Sequence, residues 1–122
     1  MVNYFFDSYA IIELIKGNPQ YAKYSQEIVV TSIFHLIEVY WSILNNFDKH
    51  KAEENYTKFR DCVVYIDDLT LKEAVQFRKE HKQQDLSYAD CIGYIYAKKN
   101  KLLFLTGDKE FKHLPHVAFT PA

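Results

Sequence analysis

The chain has 122 residues, of which 48% are apolar, and a formal net charge of −1. This length fits one domain over residues 1–122, and the charge excludes a general DNA-coating protein, which needs a basic face. Because no apolar run reaches roughly 18 residues and no basic leader precedes Tyr4, we expect a cytoplasmic protein that does not associate with membranes. Cys62 and Cys91 form neither a disulfide framework nor a CxxC motif, which predicts buried free thiols.

The first half of the chain alternates short apolar runs with helical patterns. A buried parallel strand is predicted over residues 2–6, and a helix over 8–16 that Gly17-Asn18-Pro19 ends. A short helix over 21–26 and a brief strand over 28–30 follow. Thr31 or Ser32 then caps a helix that ends at Asn45-Asn46. Its apolar residues recur at helical spacing: Ile33, Ile37, Tyr40, Trp41 and Leu44.

The second half repeats this alternation. Asp48 is predicted to cap a polar helix that ends near Arg60. Thr70-x-x-Glu73 predicts a capping box for a helix to about Gln83, and Ser87-x-x-Asp90 opens the most apolar helix, residues 87–99. The remaining predicted elements are strands over 63–66 and 102–105, a short helix over 109–113 and an edge strand over 116–119.

Strands that alternate with helices predict an α/β fold with a parallel sheet covered on both faces. In such folds ligands bind beyond the carboxyl ends of the strands, where the strand order reverses. If the strands that end before Asp7 and Asp108 are neighbours there, the two carboxylates emerge side by side. Asp90 opens the helix that leads into the second of these strands, and Glu38 is placed to reach the same edge.

These four carboxylates stand in apolar surroundings, where an ionised group is costly unless it is hydrogen-bonded, paired or bound to a metal. Clustered carboxylate oxygens favour a hard divalent cation, Mg²⁺ or Mn²⁺. Asp7, Asp90 and Asp108 also suit helix caps, and that interpretation stays open for each. Glu38 lies in mid-helix between Ile37 and Val39, where no cap is needed, so of the four it gives the strongest indication of a functional site.

The ordered set of motifs resembles the PIN-domain nucleases, and within them the small toxin ribonucleases of the VapC type. The resemblance covers nearly the whole chain. It is carried by Phe6-Asp7-Ser8, Leu36-Ile37-Glu38-Val39, Leu86-Ser87-Tyr88-Ala89-Asp90 with its apolar helix, and Leu105-Thr106-Gly107-Asp108. One difference is Gly93, where some relatives carry a further acidic or amide residue, and this leaves a second metal site open.

The resemblance implies a three-layer α/β/α sandwich with strand order 3-2-1-4-5. It implies a Mg²⁺- or Mn²⁺-dependent endoribonuclease that is commonly a homodimer and is inhibited by a cognate antitoxin. Asp7, Asp90 and Asp108 would hold the metal, and Glu38 would complete its ligands or orient the attacking water. The hydroxyls of Ser8 and Thr106 would orient ligand carboxylates, although turn and cap roles are as plausible for them.

Two other functional classes remain open at this point. One is a phosphatase or phospho-acceptor domain with Asp7 as nucleophile, although Tyr9 occupies the place where such phosphatases need a second Asp. The other is a catalytically silent PIN-like binding module. The histidines form no HxxxH pattern, so zinc is not expected, and His35 is assigned to the core or the surface rather than to ligation.

Basic and aromatic residues give the last indications. Three basic groups suit solvated helix faces, but those that flank Asp90 and Asp108 would also suit an approaching phosphate backbone. Some aromatic residues are candidates for a dimer or antitoxin surface. The basic groups are Arg78-Lys79 with Lys82, Lys98-Lys99 with Lys101, and Lys109 with Lys112; the aromatic candidates are Tyr21, Tyr24, Phe47, Tyr56 and Phe59.

Overall fold

A computed structural model describes residues 3–121 of the chain. Strands β1 (Tyr4–Phe6), β2 (Val29–Val30), β3 (Leu103–Thr106) and β4 (Val117–Phe119) form the sheet in these residues. Its order is β2-β1-β3-β4, and every pairing is parallel. The predicted start of the first strand at Val2 lies outside the described residues.

Five α-helices cover this sheet within residues 3–121, and two short 3₁₀ segments follow α1 and β3. Their bounds are α1 (Ser8–Lys16), α2 (Ile33–Asn46), α3 (Lys49–Arg60), α4 (Asp68–Glu80) and α5 (Tyr88–Lys99), with 3₁₀ segments at Pro19–Tyr24 and Lys109–Phe111. None of the helices in the described part of the chain is long and apolar enough to cross a membrane.

Alternate side chains of the central strands enter two separate cores, because successive residues of a strand point to opposite faces of the sheet. Phe6 and Leu105 pack on the face covered by α1, α2 and α3. Phe5 and Phe104 pack on the other face with residues of α4 and α5. The predicted three-layer α/β/α class is therefore confirmed.

The predicted third strand, residues 63–66, is wrong as a full strand. Val63 forms a single parallel bridge with Thr31, and the Val64 N–H donates to the Thr31 carbonyl at 2.8 Å. This segment lies beside β2, in the outer position predicted for it. The predicted order 3-2-1-4-5 therefore corresponds to the observed order, except that its first member is a single bridge rather than a strand. A run of apolar residues indicates a strand, but it does not determine how many ladder bonds a neighbour as short as Val29–Val30 provides.

Most helix boundaries agree with the sequence prediction, and α4 is the main exception. Asp67 rather than Thr70 caps α4: its carboxylate accepts from the Thr70 N–H at 2.8 Å. The predicted Thr70–Glu73 capping box is therefore wrong, and the helix ends at Glu80, short of Gln83. The Asp67 carboxylate lies one turn earlier and accepts from the Thr70 N–H, so the helix begins there and Thr70 lies inside its first turn.

Candidate functional site

The carboxyl ends of β1 and β3 position the first two acidic residues. Phe6 pairs with Leu105, and the Asp7 N–H donates to the Leu105 carbonyl at 3.2 Å. Asp7 leaves β1 here, and Gly107-Asp108 follows β3 at the same edge. β1 pairs with β2 on one side and β3 on the other, so the strand order reverses at this point, where α/β folds form their clefts.

Helices α2 and α5 bring the other two carboxylates to this edge. Glu38 lies in the second turn of α2, and its Oε1 accepts from the Ser8 Oγ at 2.7 Å. Asp90 lies in the first turn of α5. The two acidic side chains line one cleft of about 680 Å³, whose walls are Ser8, Ile12, Ile37, Glu38, Trp41, Ser42, Ser87 and Asp90.

The three aspartates lie close enough to influence each other's ionisation. Burial raises the pKa of Asp7 from 3.8 to about 8, with smaller contributions from the charges of Asp90 and Asp108, against hydrogen bonds from Thr106 and Ala10. Burial also raises the pKa of Asp90, to about 6, and the charges of Asp108 and Glu38 add to this shift. Asp7 is only 2% exposed, and neither Asp7 nor Asp108 is among the residues that line the cleft.

Each of the three aspartates is also a helix cap, as the alternative interpretation predicted. The Asp7 Oδ1 accepts from the Ala10 N–H at 2.8 Å, and the Asp108 Oδ1 accepts from the Glu110 N–H at 2.9 Å. Asp90 completes a capping box with Ser87, whose N–H donates to Oδ2 at 3.3 Å. Capping leaves other lone pairs of each carboxylate free, so a cap and a second role are compatible.

Both predicted hydroxyls contact the carboxylate group. Ser8 holds Glu38, as described above. The Thr106 Oγ1 accepts from the Asp108 N–H at 3.0 Å, and its hydroxyl lowers the pKa of Asp7 against the effect of burial. Thr106 is fully buried, so it acts on both aspartates from within the strand end.

The donor set fits a hard divalent cation. The available oxygens belong to carboxyl groups, and the pKa values of two of them, Asp7 and Asp90, are raised. The positive charge of a bound cation would lower both pKa values. In the described residues 3–121, however, no group of three or more His, Cys, Asp or Glu side chains is placed to hold a metal ion. Mg²⁺ keeps several waters among its ligands, so it does not require a site built from protein side chains alone.

Gly93 and His35 lie in the core beneath this site. A Cβ at Gly93 would approach the rings of Phe5, Phe104 and His35 to 2.7–2.9 Å, so this position has no room for a further acidic side chain. Burial lowers the pKa of His35 to about 3, and its Nδ1 pairs with the Ser32 Oγ at 2.6 Å. His35 therefore has the core role that the sequence favoured.

Several residues of the cleft, and most of the exposed aromatic surface, were not predicted. Trp41, Ser42, Ser87 and Ile12 line the cleft, and the helical spacing of Trp41 and Ser42 from Glu38 and of Ser87 from Asp90 could have indicated three of them. The aromatic candidates for an interaction surface are largely wrong, because Tyr21, Tyr24 and Phe59 are buried in the core. Of the candidates, Phe47 is exposed, at the C-cap of α2, and it accompanies exposed apolar side chains of that helix that were not predicted: Phe34, Ile37, Trp41 and Leu44.

The sheet order, the layer arrangement and the acidic cluster at the strand reversal define a three-layer α/β fold with an acidic site at its switch point, and comparison with known proteins identifies the family. The model of the PIN domain family matches residues 4–117. The chain therefore belongs to the PIN-domain family. A comparison with curated protein sequences gives no match.

Solved structures with the same fold include toxins of toxin–antitoxin pairs. VapC20 of Mycobacterium tuberculosis, described as a sarcin-ricin-loop-cleaving toxin, is 16% identical with a TM-score of 0.79, covering 98% of this chain and all (100%) of its own. A toxin–antitoxin complex from Klebsiella pneumoniae is 20% identical with a TM-score of 0.74, covering 95% and 96%. DNA-bound VapBC from Salmonella typhimurium is 17% identical with a TM-score of 0.72, covering 99% and 98%.

Proposed function

We propose that this protein is a Mg²⁺- or Mn²⁺-dependent endoribonuclease and the toxin of a type II toxin–antitoxin pair, acting in the cytoplasm. The observation that carries this proposal is the group of four carboxylates at the reversal of strand order, with burial and mutual charge raising the pKa of Asp7 to about 8 and of Asp90 to about 6. Titratable groups with strongly shifted pKa values beside a cleft are typical of catalytic sites.

The proposed roles follow from position. Asp7, Asp90 and Asp108 hold the cation, which when bound would neutralise phosphate charge and lower the pKa of water. Glu38 is held by Ser8 through one carboxylate oxygen, which leaves the other to ligate or to accept a proton from the attacking water. Thr106 fixes the turn that presents Asp108.

The surroundings of the cleft support a nucleic-acid substrate. Arg78, Lys79 and Lys82 line a depression with Tyr88, two residues before Asp90. Arg78 lies over the Tyr88 ring at 4.3 Å, which brings a cation to the start of α5. With a net charge of −1 for the whole chain, RNA binding depends on such local charge and should weaken steeply with salt.

We further propose a cognate antitoxin as a partner, since three structural neighbours are described as toxin–antitoxin or VapBC complexes. We also propose a homodimer, which the family resemblance implies. An antitoxin would place an Arg or Lys among the carboxylates, where its charge replaces that of the metal. The rest of its segment would cover exposed apolar side chains.

A metal-titrated RNA cleavage assay tests the enzymatic proposal. We expect cleavage only with Mg²⁺ or Mn²⁺. Asp90→Asn keeps the capping geometry and should lower the cleavage activity by at least the ~10–100-fold that is typical when a residue supporting a metal ligand is replaced. The matched control is Asp67→Asn, another helix-capping aspartate that lies outside the cleft and should retain full activity. A wild-type protein that cleaves no RNA at any metal concentration would favour the silent binding module instead.

A further inference from the structure

Trp41 lines the same cleft as Glu38 and Asp90, two of the four proposed catalytic carboxylates, and its indole has no aromatic partner in the described residues. It is the single tryptophan of the chain and is 67% exposed. It lies three residues after Glu38 on α2, so the two side chains are neighbours on the helix surface. Among residues 3–121, no other ring stacks on this indole, whereas most aromatic residues of the chain pack against one another.

The rest of the cleft wall suits a nucleoside. Ile12 and Ile37 give the cleft apolar surface, and Ser42 and Ser87 also line it; the Ser87 Oγ accepts from the Asp90 N–H and keeps its own proton to donate. A base needs an apolar face to stack on, and its edges and ribose need hydrogen-bond partners. The cleft is open to solvent, and its volume of about 680 Å³ leaves room for a nucleoside.

We propose that Trp41 is a base-stacking platform that binds the nucleobase next to the scissile phosphate of single-stranded RNA, and so positions that phosphate over Glu38 and Asp90. This inference rests on the proposed nuclease function and adds a subsite to it. An aromatic face accepts any base, so the subsite selects unpaired over paired RNA more strongly than it selects sequence. A base held in a duplex has no free face to stack.

A protein segment is the competing occupant, because Trp41 belongs to an exposed apolar stripe of α2. The residues that line the cleft distinguish the part of this stripe that suits RNA from the part that suits a protein. Ile37 and Trp41 enter it beside the carboxylates, whereas Phe34, Leu44 and Phe47 do not line it. The stripe beyond the cleft is therefore free for a protein, while the part inside it shares its walls with acidic and hydroxyl groups that suit a metal-bound phosphate and a ribose.

Binding experiments in EDTA test the subsite without relying on cleavage. The probe is a single-stranded RNA hexamer, and the comparison is an abasic hexamer of the same length and charge. Because the chain has one tryptophan, its emission reports on residue 41 alone. We expect the emission to be quenched on saturation with the hexamer and to change little with the abasic strand.

Variants of Trp41 then test whether base stacking, rather than a structural role of the indole, accounts for RNA binding. The affinity is measured by the fluorescence anisotropy of a labelled hexamer. We expect Trp41→Ala to weaken binding roughly 10-fold or more, as loss of one base–aromatic stack does, and Trp41→Phe to recover much of it. Leu44→Ala is the matched control, since Leu44 is an exposed residue of the same stripe outside the cleft. In the cleavage assay, Trp41→Ala should raise KM for RNA by a similar factor with a smaller effect on kcat.

The outcomes distinguish the base-stacking subsite from the nuclease function on which it rests. Unchanged RNA affinity and KM in Trp41→Ala, beside Asp90-dependent cleavage, would overturn the subsite and leave the nuclease intact. Quenching and Trp41-dependent binding by a protein that never cleaves would support the subsite and overturn the nuclease. If Trp41→Ala leaves RNA binding unchanged but alters the mass of the protein in sedimentation, the indole belongs to a protein interface and the subsite is overturned.

Discussion

The hydroxyl of Ser8 donates a hydrogen bond of 2.7 Å to Glu38, a residue 30 positions away in sequence. Ser8 is the first residue of α1, and Glu38 lies in the second turn of α2. The bond therefore couples the start of one helix, directly after Asp7, to the acidic side chain on the opposite wall of the cleft. It leaves the second oxygen of Glu38 available for chemistry.

Removal of this hydroxyl should lower turnover more than substrate binding. We expect Ser8→Ala to reduce kcat about 10-fold with KM nearly unchanged, because Glu38 loses its orientation but keeps its charge. Steady-state kinetics on an RNA substrate measure the effect. Ser25→Ala removes an exposed hydroxyl that bonds only a local carbonyl and should leave kcat at the wild-type value. Equal losses in the two variants would contradict the role of Ser8.

Neutralising Asp7 should stabilise the metal-free protein while it abolishes cleavage. Burial raises the pKa of this carboxyl to about 8, so its ionised form is disfavoured in the fold, whereas Asn can still accept from the Ala10 N–H. We expect Asp7→Asn to raise the free energy of unfolding at pH 8, measured by urea titration. Asp67→Asn should act in the opposite direction, because hydrogen bonds from Thr70 lower the pKa of Asp67. Unfolding of Asp7→Asn would show that the carboxylate serves the fold alone.

The stability of the metal-free protein should fall as pH rises through the neutral range. Below pH 4 the carboxyls of Asp7 and Asp90 are protonated in both folded and unfolded states, and neither contributes. Above pH 4 the unfolded chain ionises first, so the free energy of unfolding decreases until about pH 6 for Asp90 and about pH 8 for Asp7. Thermal unfolding at pH 5 and pH 8, with Mg²⁺ added in parallel, measures this; saturating Mg²⁺ should restore stability at pH 8. A stability that rises across this range would contradict the raised pKa values.

A side chain at Gly93 should destabilise the fold rather than add a metal ligand. A Cβ there would lie 2.7 Å from the Phe5 ring and 2.8 Å from the Phe104 ring. We expect Gly93→Ala to cost about 1–3 kcal/mol, as overpacking of a core does, and Gly93→Glu to cost more. Urea denaturation measures both. Lys98→Ala, an exposed change in the same helix, should be nearly neutral. Stronger Mg²⁺ binding by Gly93→Glu would contradict this prediction.

An identified antitoxin should compete with the metal for the carboxylates. If its cation occupies the acidic cluster, saturating Mg²⁺ will weaken antitoxin binding, and Asp108→Asn will weaken the binding of both. Calorimetric titration with and without Mg²⁺ measures the competition. An affinity that does not respond to Mg²⁺ would remove the pocket-blocking mechanism, although the metal nuclease itself would survive.

The sequence by itself determined most of the local structure and indicated the acidic residues of the candidate site. The breaker after residue 16, the caps at Asp48 and Ser87 and the apolar runs at residues 2–6 and 102–105 depend on neighbours within a few positions, so they can be read along the chain. The isolated acidic residues in apolar surroundings were visible for the same reason. Their order along the chain also matched the PIN family, which the family model supports over residues 4–117.

Only the tertiary structure decided what depends on contacts across the fold. Residues 63–66 have the composition of a strand, but their pairing depends on the short β2 beside them. The periodicity of α2 is consistent with burial of Ile37, Trp41 and Leu44, yet these side chains are exposed and His35, Leu36 and Val39 are buried instead. A helical repeat shows which residues share a face of the helix. The layers packed around the helix determine which of its faces meets the core and which one borders the cleft that Glu38 and Asp90 line.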